Sequence, residues 1–126
     1  MQMRSELGRV RGLGAARDGV GHWWRQRVTA VALVPLSLWF VGMVIGLKDA
    51  DYETVRAFFR APGHATAMIL VVSVALYHAL LGVRVVIEDY VHHETGKLAG
   101  LVLVQLMTVL LVLFAVVAVF AIAYGG

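Results

Sequence analysis

The stretch 98-LAGLVLVQLMTVLLVLFAVVAVFAIAYGG-126 carries no formal charge over its whole length, with Gln105 as the polar side chain near its start. A hydrocarbon core about 30 Å thick is crossed by about 20 helical residues at 1.5 Å each, so this run is long enough to span a bilayer. Two earlier runs have the same character. Val28 to Leu47 is uncharged and is broken only by Pro35; Ala65 to Val83 is free of formal charge but contains His78. Pro35 sits about two turns into its span, where a kink is tolerated if neighbours satisfy the freed carbonyl. The pattern predicts an all-α membrane protein with three transmembrane helices, at 28–47, 65–88 and 98–124.

Composition agrees. The 126 residues are 60% hydrophobic and 15% charged, with a mean hydropathy of +0.81. Soluble domains run at roughly 45–50% apolar and about 25% charged. The apolar excess has to face membrane lipid. The sequence pI near 9.7 would suit nucleic-acid binding if the basic residues were spread over a soluble face. They crowd instead ahead of the first apolar run, which is a topology signal, and no nucleic-acid partner is expected. There is no cysteine, which excludes disulfides, thiol catalysis and Cys-ligated clusters within the chain. No apolar core precedes Val28, so a cleaved signal peptide is not expected and the first span reads as a retained anchor.

Orientation follows from the flanks. Six basic residues (Arg4, Arg9, Arg11, Arg17, Arg25, Arg27) precede Val28 against two acidic ones, Glu6 and Asp18. The loop Lys48–Arg60 balances its charges, and the segment Arg84–Lys97 is slightly acidic. The excess of Arg beside the first span places residues 1–27 in the cytoplasm, the 48–64 loop in the periplasm, the 89–97 loop in the cytoplasm and the C-terminus outside. Within the first loop, Tyr52, Val55, Phe58 and Phe59 are spaced for a short amphipathic helix on the outer membrane surface, ended by Pro62-Gly63.

Function is legible only in residues that are costly where they sit. A titratable side chain within a span is expected to face a cavity, a partner or a cofactor. His78 is such a residue, and on a helix it shares a face with Gly82, Val85 and Asp89. One reading makes it an axial haem ligand through a neutral imidazole nitrogen, with Gly82 leaving room for a flat macrocycle. The other makes it a histidine hydrogen-bonded to a neighbouring helix, with Gly82 serving close packing. No second span offers a histidine, so a bis-histidine site would need a partner chain.

Glu88-Asp89-Tyr90 stands at the cytoplasmic end of the same helix, Tyr90 about 18 Å beyond His78 along the axis. A phenol beside a carboxylate suits a quinone carbonyl; it equally suits the aromatic belt of an interface. Arg84 and Glu88, at i and i+4, are expected to pair. Ahead of the first span, His22-Trp23-Trp24-Arg25-Gln26-Arg27 reads either as a headgroup anchor or as a site where Arg27 and His22 meet an anionic group and the tryptophans line a mouth shared with a partner. His92 and His93 read as solvated, His64 as a surface residue, and the third span as a packing and lipid-facing helix.

Together, the run Gly21-His22-Trp23-Trp24-Arg25-Gln26-Arg27-Val28-Thr29-Ala30 and the pattern His78-x3-Gly82-x6-Asp89-Tyr90 on the second of three spans resemble the small hydrophobic membrane-anchor subunit of succinate dehydrogenase, respiratory complex II. The likeness covers residues 20–125. It implies a multi-pass subunit of a bacterial inner membrane that is not catalytic alone. Its implied partners are a second three-span cytochrome b anchor, an iron–sulfur subunit and a flavoprotein subunit. FAD and iron–sulfur clusters belong to those partners, while haem b is shared between the two anchors and ubiquinone is the electron acceptor. By the same resemblance, His78 is the haem-iron ligand, Arg27 and less securely His22 lie near the propionates, and Tyr90 with Asp89 belongs to the quinone site. Gly82 and Trp23 fall in the matching motifs. Arg84 stands where the family carries no charge and receives no role. A fumarate reductase anchor working in the opposite direction, and a small three-helix membrane protein with no redox role, are the alternatives.

Overall fold

The computed structural model describes residues 19–125. Among them are four helices and no strand: α1 (Gly19–Leu47), α2 (Tyr52–Arg60), α3 (Pro62–Tyr90) and α4 (Glu94–Tyr124). Three of them, α1, α3 and α4, are long and apolar enough to cross a membrane. At 29 residues each, α1 and α3 are about 44 Å long, so their ends pass beyond the hydrocarbon into the headgroup layers. Each helix therefore outruns the apolar run that marks it in the sequence. In particular, α1 is helical from Gly19, the first described residue, carries His22 to Arg27 within the helix, and continues through Pro35.

The helix boundaries have local causes. Pro62 opens α3 at a position where a missing N–H costs nothing, and the amides of His64 and Ala65 both donate to the Ala61 carbonyl. Asp51 caps α2 by accepting from the Thr54 amide at 2.9 Å. Hydrogen bonding from the Thr54 side chain, and then from its backbone, holds the Asp51 carboxyl below its ordinary value. The charged cap is thus fully present above the ordinary carboxylate pKa and is lost as pH falls through the lowered value. His93 caps α4 through the Gly96 amide.

Connectivity is up, down, up, with α3 in the middle: it packs on α1 along one flank and on α4 along another. Gly100 of α4 lies against the Ile87 side chain of α3, where a Cβ would already touch at 3.5 Å. Leu80 and Leu81 are buried on α3, and Val119 and Ala123 on α4, whereas α1 buries nothing fully. Val31, Leu38 and Phe114 are each more than 70% exposed, a surface that only lipid or neighbouring subunits can cover.

The amphipathic helix α2 forms as the sequence predicts, but its basic residues do not simply face water. Arg56 is buried, donating from Nε to the Ile122 carbonyl at 3.3 Å and from Nη2 to the Gly125 carbonyl. Arg60 Nε donates to the Ala123 carbonyl at 3.1 Å. The last carbonyls of α4, which have no intrahelical donor, are closed by two cations from α2, the sign of charge favoured at a helix C-terminus. His64 is not a plain surface residue either. Its ring stacks on Phe58 at 3.8 Å, and its Nδ1 lies 2.9 Å from the Phe58 carbonyl oxygen. Trp39 of α1 stacks on the other partner of that pair, Phe58, at 6.4 Å.

Candidate functional site

His78 is half-buried on α3 at the contact with α1. Its Nδ1 lies 2.9 Å from Thr29 Oγ1, and that hydroxyl lies 2.8 Å from the Arg25 carbonyl oxygen and 3.1 Å from that of Gln26. Helical spacing explains the meeting: His22, Gln26 and Thr29 follow the i, i+4, i+7 stripe of α1 that faces α3. Nε2 of His78 makes no hydrogen bond among the described residues.

Gly82 lies one turn beyond His78. A Cβ placed there meets nothing within 4 Å, so Gly82 does not serve close packing among the described residues. The flank of α3 that carries His78 and Gly82 is not the one that meets α4 through Ile87. The helix-contact reading of His78 holds for one ring nitrogen, which is bonded to Thr29 of the neighbouring helix, but its expectation of close packing at Gly82 is not met among the described residues. No group of three or more His, Asp or Glu side chains is placed to hold a metal ion among the described residues.

About 9 Å further along α3, His22 and Arg25 of α1 meet Arg84, Val85 and Glu88 around a polar cleft of about 350 Å³. The expected Arg84–Glu88 ion pair is not made; among the described residues the ion pairs are Lys48–Asp49 and Arg56–Glu53. Both side chains line the cleft instead. Gln26 Oε1, nearby on the same face of α1, is buried without a hydrogen-bond partner among the described residues.

Other residues singled out by the sequence lie elsewhere. Arg27 stands on the side of α1 turned away from Thr29, its guanidinium 5.5 Å over the Trp23 ring. Trp23 meets Trp24 edge to face at 5.4 Å, and both are more than half exposed. Asp89 and Tyr90 are exposed at the end of α3, Tyr90 at 77%. The structure thus joins His78 and His22 to the α1–α3 seam and leaves Gly82 open beside it, while Arg27, Trp23, Asp89 and Tyr90 face outward. Sequence reasoning gave no role to Thr29. Its one signal was its seven-residue spacing from His22, which places the two on one helix face.

Residues 1–123 match the family model described as succinate dehydrogenase/fumarate reductase transmembrane subunit. The chain is 33% identical over 117 residues to the succinate dehydrogenase hydrophobic membrane anchor subunit of Rickettsia bellii (strain RML369-C), covering 93% of this chain and 94% of that one. It is 36% identical over 88 residues to the subunit of the same name from Paracoccus denitrificans, covering 70% and 68% of the two chains. It is 32% identical over 97 residues to the succinate dehydrogenase membrane anchor subunit of Reclinomonas americana, covering 74% and 80%. No solved structure matches it.

Proposed function

This chain belongs to the succinate dehydrogenase/fumarate reductase transmembrane subunit family, and we propose that it anchors the flavoprotein and iron–sulfur subunits of a succinate:quinone oxidoreductase. It does so in a bacterial inner membrane with its N-terminus in the cytoplasm, the side favoured by the Arg excess before α1. A second three-span anchor with a histidine of its own completes the membrane part. The names of the relatives favour the dehydrogenase over the fumarate reductase.

The observation that carries the redox part of this reading is the environment of His78. One nitrogen is tied to Thr29, the other is unbonded among the described residues, and the helix turn beyond it is open at Gly82. Those features suit a histidine that would hold a b-type haem together with a residue of the partner anchor. When bound, the haem would supply a one-electron store. His78 would hold the iron through its Nε2 lone pair, and Gly82 would keep the helix surface there free of a side chain. Arg27 would supply positive charge and His22 a ring N–H for the propionates, and Trp23 holds the Arg27 guanidinium by its ring face.

Tyr90 and Asp89 lie at the end of α3 that this topology turns toward the cytoplasm and the docked subunits. Their exposure in the single chain is what a site completed by other subunits requires. Reducing a quinone to a quinol takes two electrons and two protons. The Tyr90 hydroxyl donates a hydrogen bond to a quinone carbonyl oxygen, and the Asp89 carboxylate links that hydroxyl to bulk water for reprotonation.

The test is affinity purification from mildly solubilised membranes through a tag on this chain. Flavin, iron–sulfur signals and succinate-driven quinone reduction are expected to travel with it. A tagged chain that purifies with neither flavin nor clusters would instead support a small non-redox membrane protein.

A further inference from the structure

Thr29 is the residue whose chemistry is least explained by anchoring alone. Its hydroxyl has a single proton and two lone pairs. Two of its three neighbours, the carbonyl oxygens of Arg25 and Gln26 at 2.8 and 3.1 Å, can only accept. The hydroxyl proton is therefore directed to them, in the back-bond that Thr makes within helices. Toward His78 Nδ1, 2.9 Å away, Thr29 has only lone pairs to offer. The three contacts are satisfied together in one arrangement, with the proton of the neutral imidazole on Nδ1. A bare Nδ1 facing those lone pairs would set two acceptors against each other and forfeit a hydrogen bond in a low-dielectric seam.

From this geometry we infer that Thr29 is a positioning residue for the haem: its hydroxyl holds His78 in the Nδ1–H tautomer, orients the ring, and leaves Nε2 as the lone-pair donor. This rests on the proposed haem ligation by His78. A hydrogen bond accepted from the far nitrogen of a ligating imidazole also makes that imidazole a stronger donor. Stronger donation stabilises the ferric over the ferrous iron, so the Thr29 hydroxyl lowers the midpoint potential.

The experiment is a potentiometric titration of the haem in the purified complex, with electron paramagnetic resonance of the oxidised form, for wild type, Thr29→Val, Thr29→Ala and Thr29→Ser. Val keeps the β-branched shape and removes only the hydroxyl. The inference expects Val and Ala to raise the midpoint potential, on the order of a tenfold change in the one-electron equilibrium, about 59 mV, and to alter the resonance of the ferric haem. Ser is expected to restore the wild-type values. If Val fails to assemble, Ala carries the comparison. Unchanged potential and resonance in the hydroxyl-free variants would overturn the role of Thr29 alone, as would equal shifts in Ser and Val, which would trace the effect to packing. A wild-type complex that holds flavin and clusters but no haem would instead remove the ligation on which the inference rests.

Discussion

The guanidinium of Arg56 donates to the carbonyl oxygen of Ile122, 66 residues away in the chain, at 3.3 Å. That bond and its neighbours tie the short helix α2 to the last turn of α4. Arg56 is 9% exposed and also pairs with Glu53 at 3.2 Å. Removing it would leave the part-buried carbonyls of Ile122 and Gly125 without their Arg56 donors. Hydrogen bonds to charged groups contribute about 1.5–3 kcal/mol, so Arg56→Ala is expected to cost about 2–3 kcal/mol. Arg60→Ala, at an exposed position with one such bond, is expected to cost about 1 kcal/mol. Thermal unfolding of the purified complex should rank them in that order. Equal midpoints for wild type and Arg56→Ala would show that the cap contributes nothing.

Gly82 separates an open haem face from simple helix packing. No neighbouring atom among the described residues lies within 4 Å of a Cβ at that position, so the described part of the subunit has room for a side chain there. Gly82→Leu is expected to leave subunit assembly intact and to reduce haem per flavin at least about tenfold, since metal-site affinity commonly falls 10–100-fold when the surrounding shell is disturbed. Normal haem content in Gly82→Leu would mean that the macrocycle does not lie along this flank.

Tyr90 tests the quinone assignment. Tyr90→Phe removes one oxygen from an exposed residue and leaves packing almost unchanged. Succinate oxidation by an artificial dye is expected to persist, while quinone reduction falls at least about tenfold, below the 10²–10⁴ range typical of a positioned proton donor. Loss of both activities in proportion would assign Tyr90 to assembly.

Topology is open to a clean chemical test because the chain has no cysteine. A cysteine at Asp49, beside the start of α2, is expected to react with a membrane-impermeant maleimide in intact spheroplasts. A cysteine at His92, between α3 and α4, is expected to react only after the membrane is opened and the soluble subunits are stripped. The reverse pattern would invert the orientation read from the arginines.

How far the sequence reached depended on the range of the interaction. Apolar runs encode spans because burial in lipid is local to each segment, so all three long helices and the amphipathic α2 were legible, and so was the shared face of His78 and Gly82. Helix ends were less so: α1 runs back to Gly19 because lipid stops selecting for apolar residues at the headgroups while backbone hydrogen bonding continues. Contacts between distant segments were not legible. The α4 cap by Arg56 and Arg60 and the Thr29–His78 contact depend on which helix faces meet. The expected Arg84–Glu88 pair failed for the same reason, because residues of α1 stand beside both side chains in the folded chain and form a shared cleft with them.

The most direct test of the central claim is the dithionite-reduced minus oxidised visible spectrum of the complex purified through a tag on this chain, for wild type and His78→Ala. The expected result is a b-type haem signal in the wild type that disappears in His78→Ala, with flavin content and dye-linked succinate oxidation retained in both. An unchanged haem signal in His78→Ala, or a wild-type complex with flavin and clusters but no haem, would contradict it.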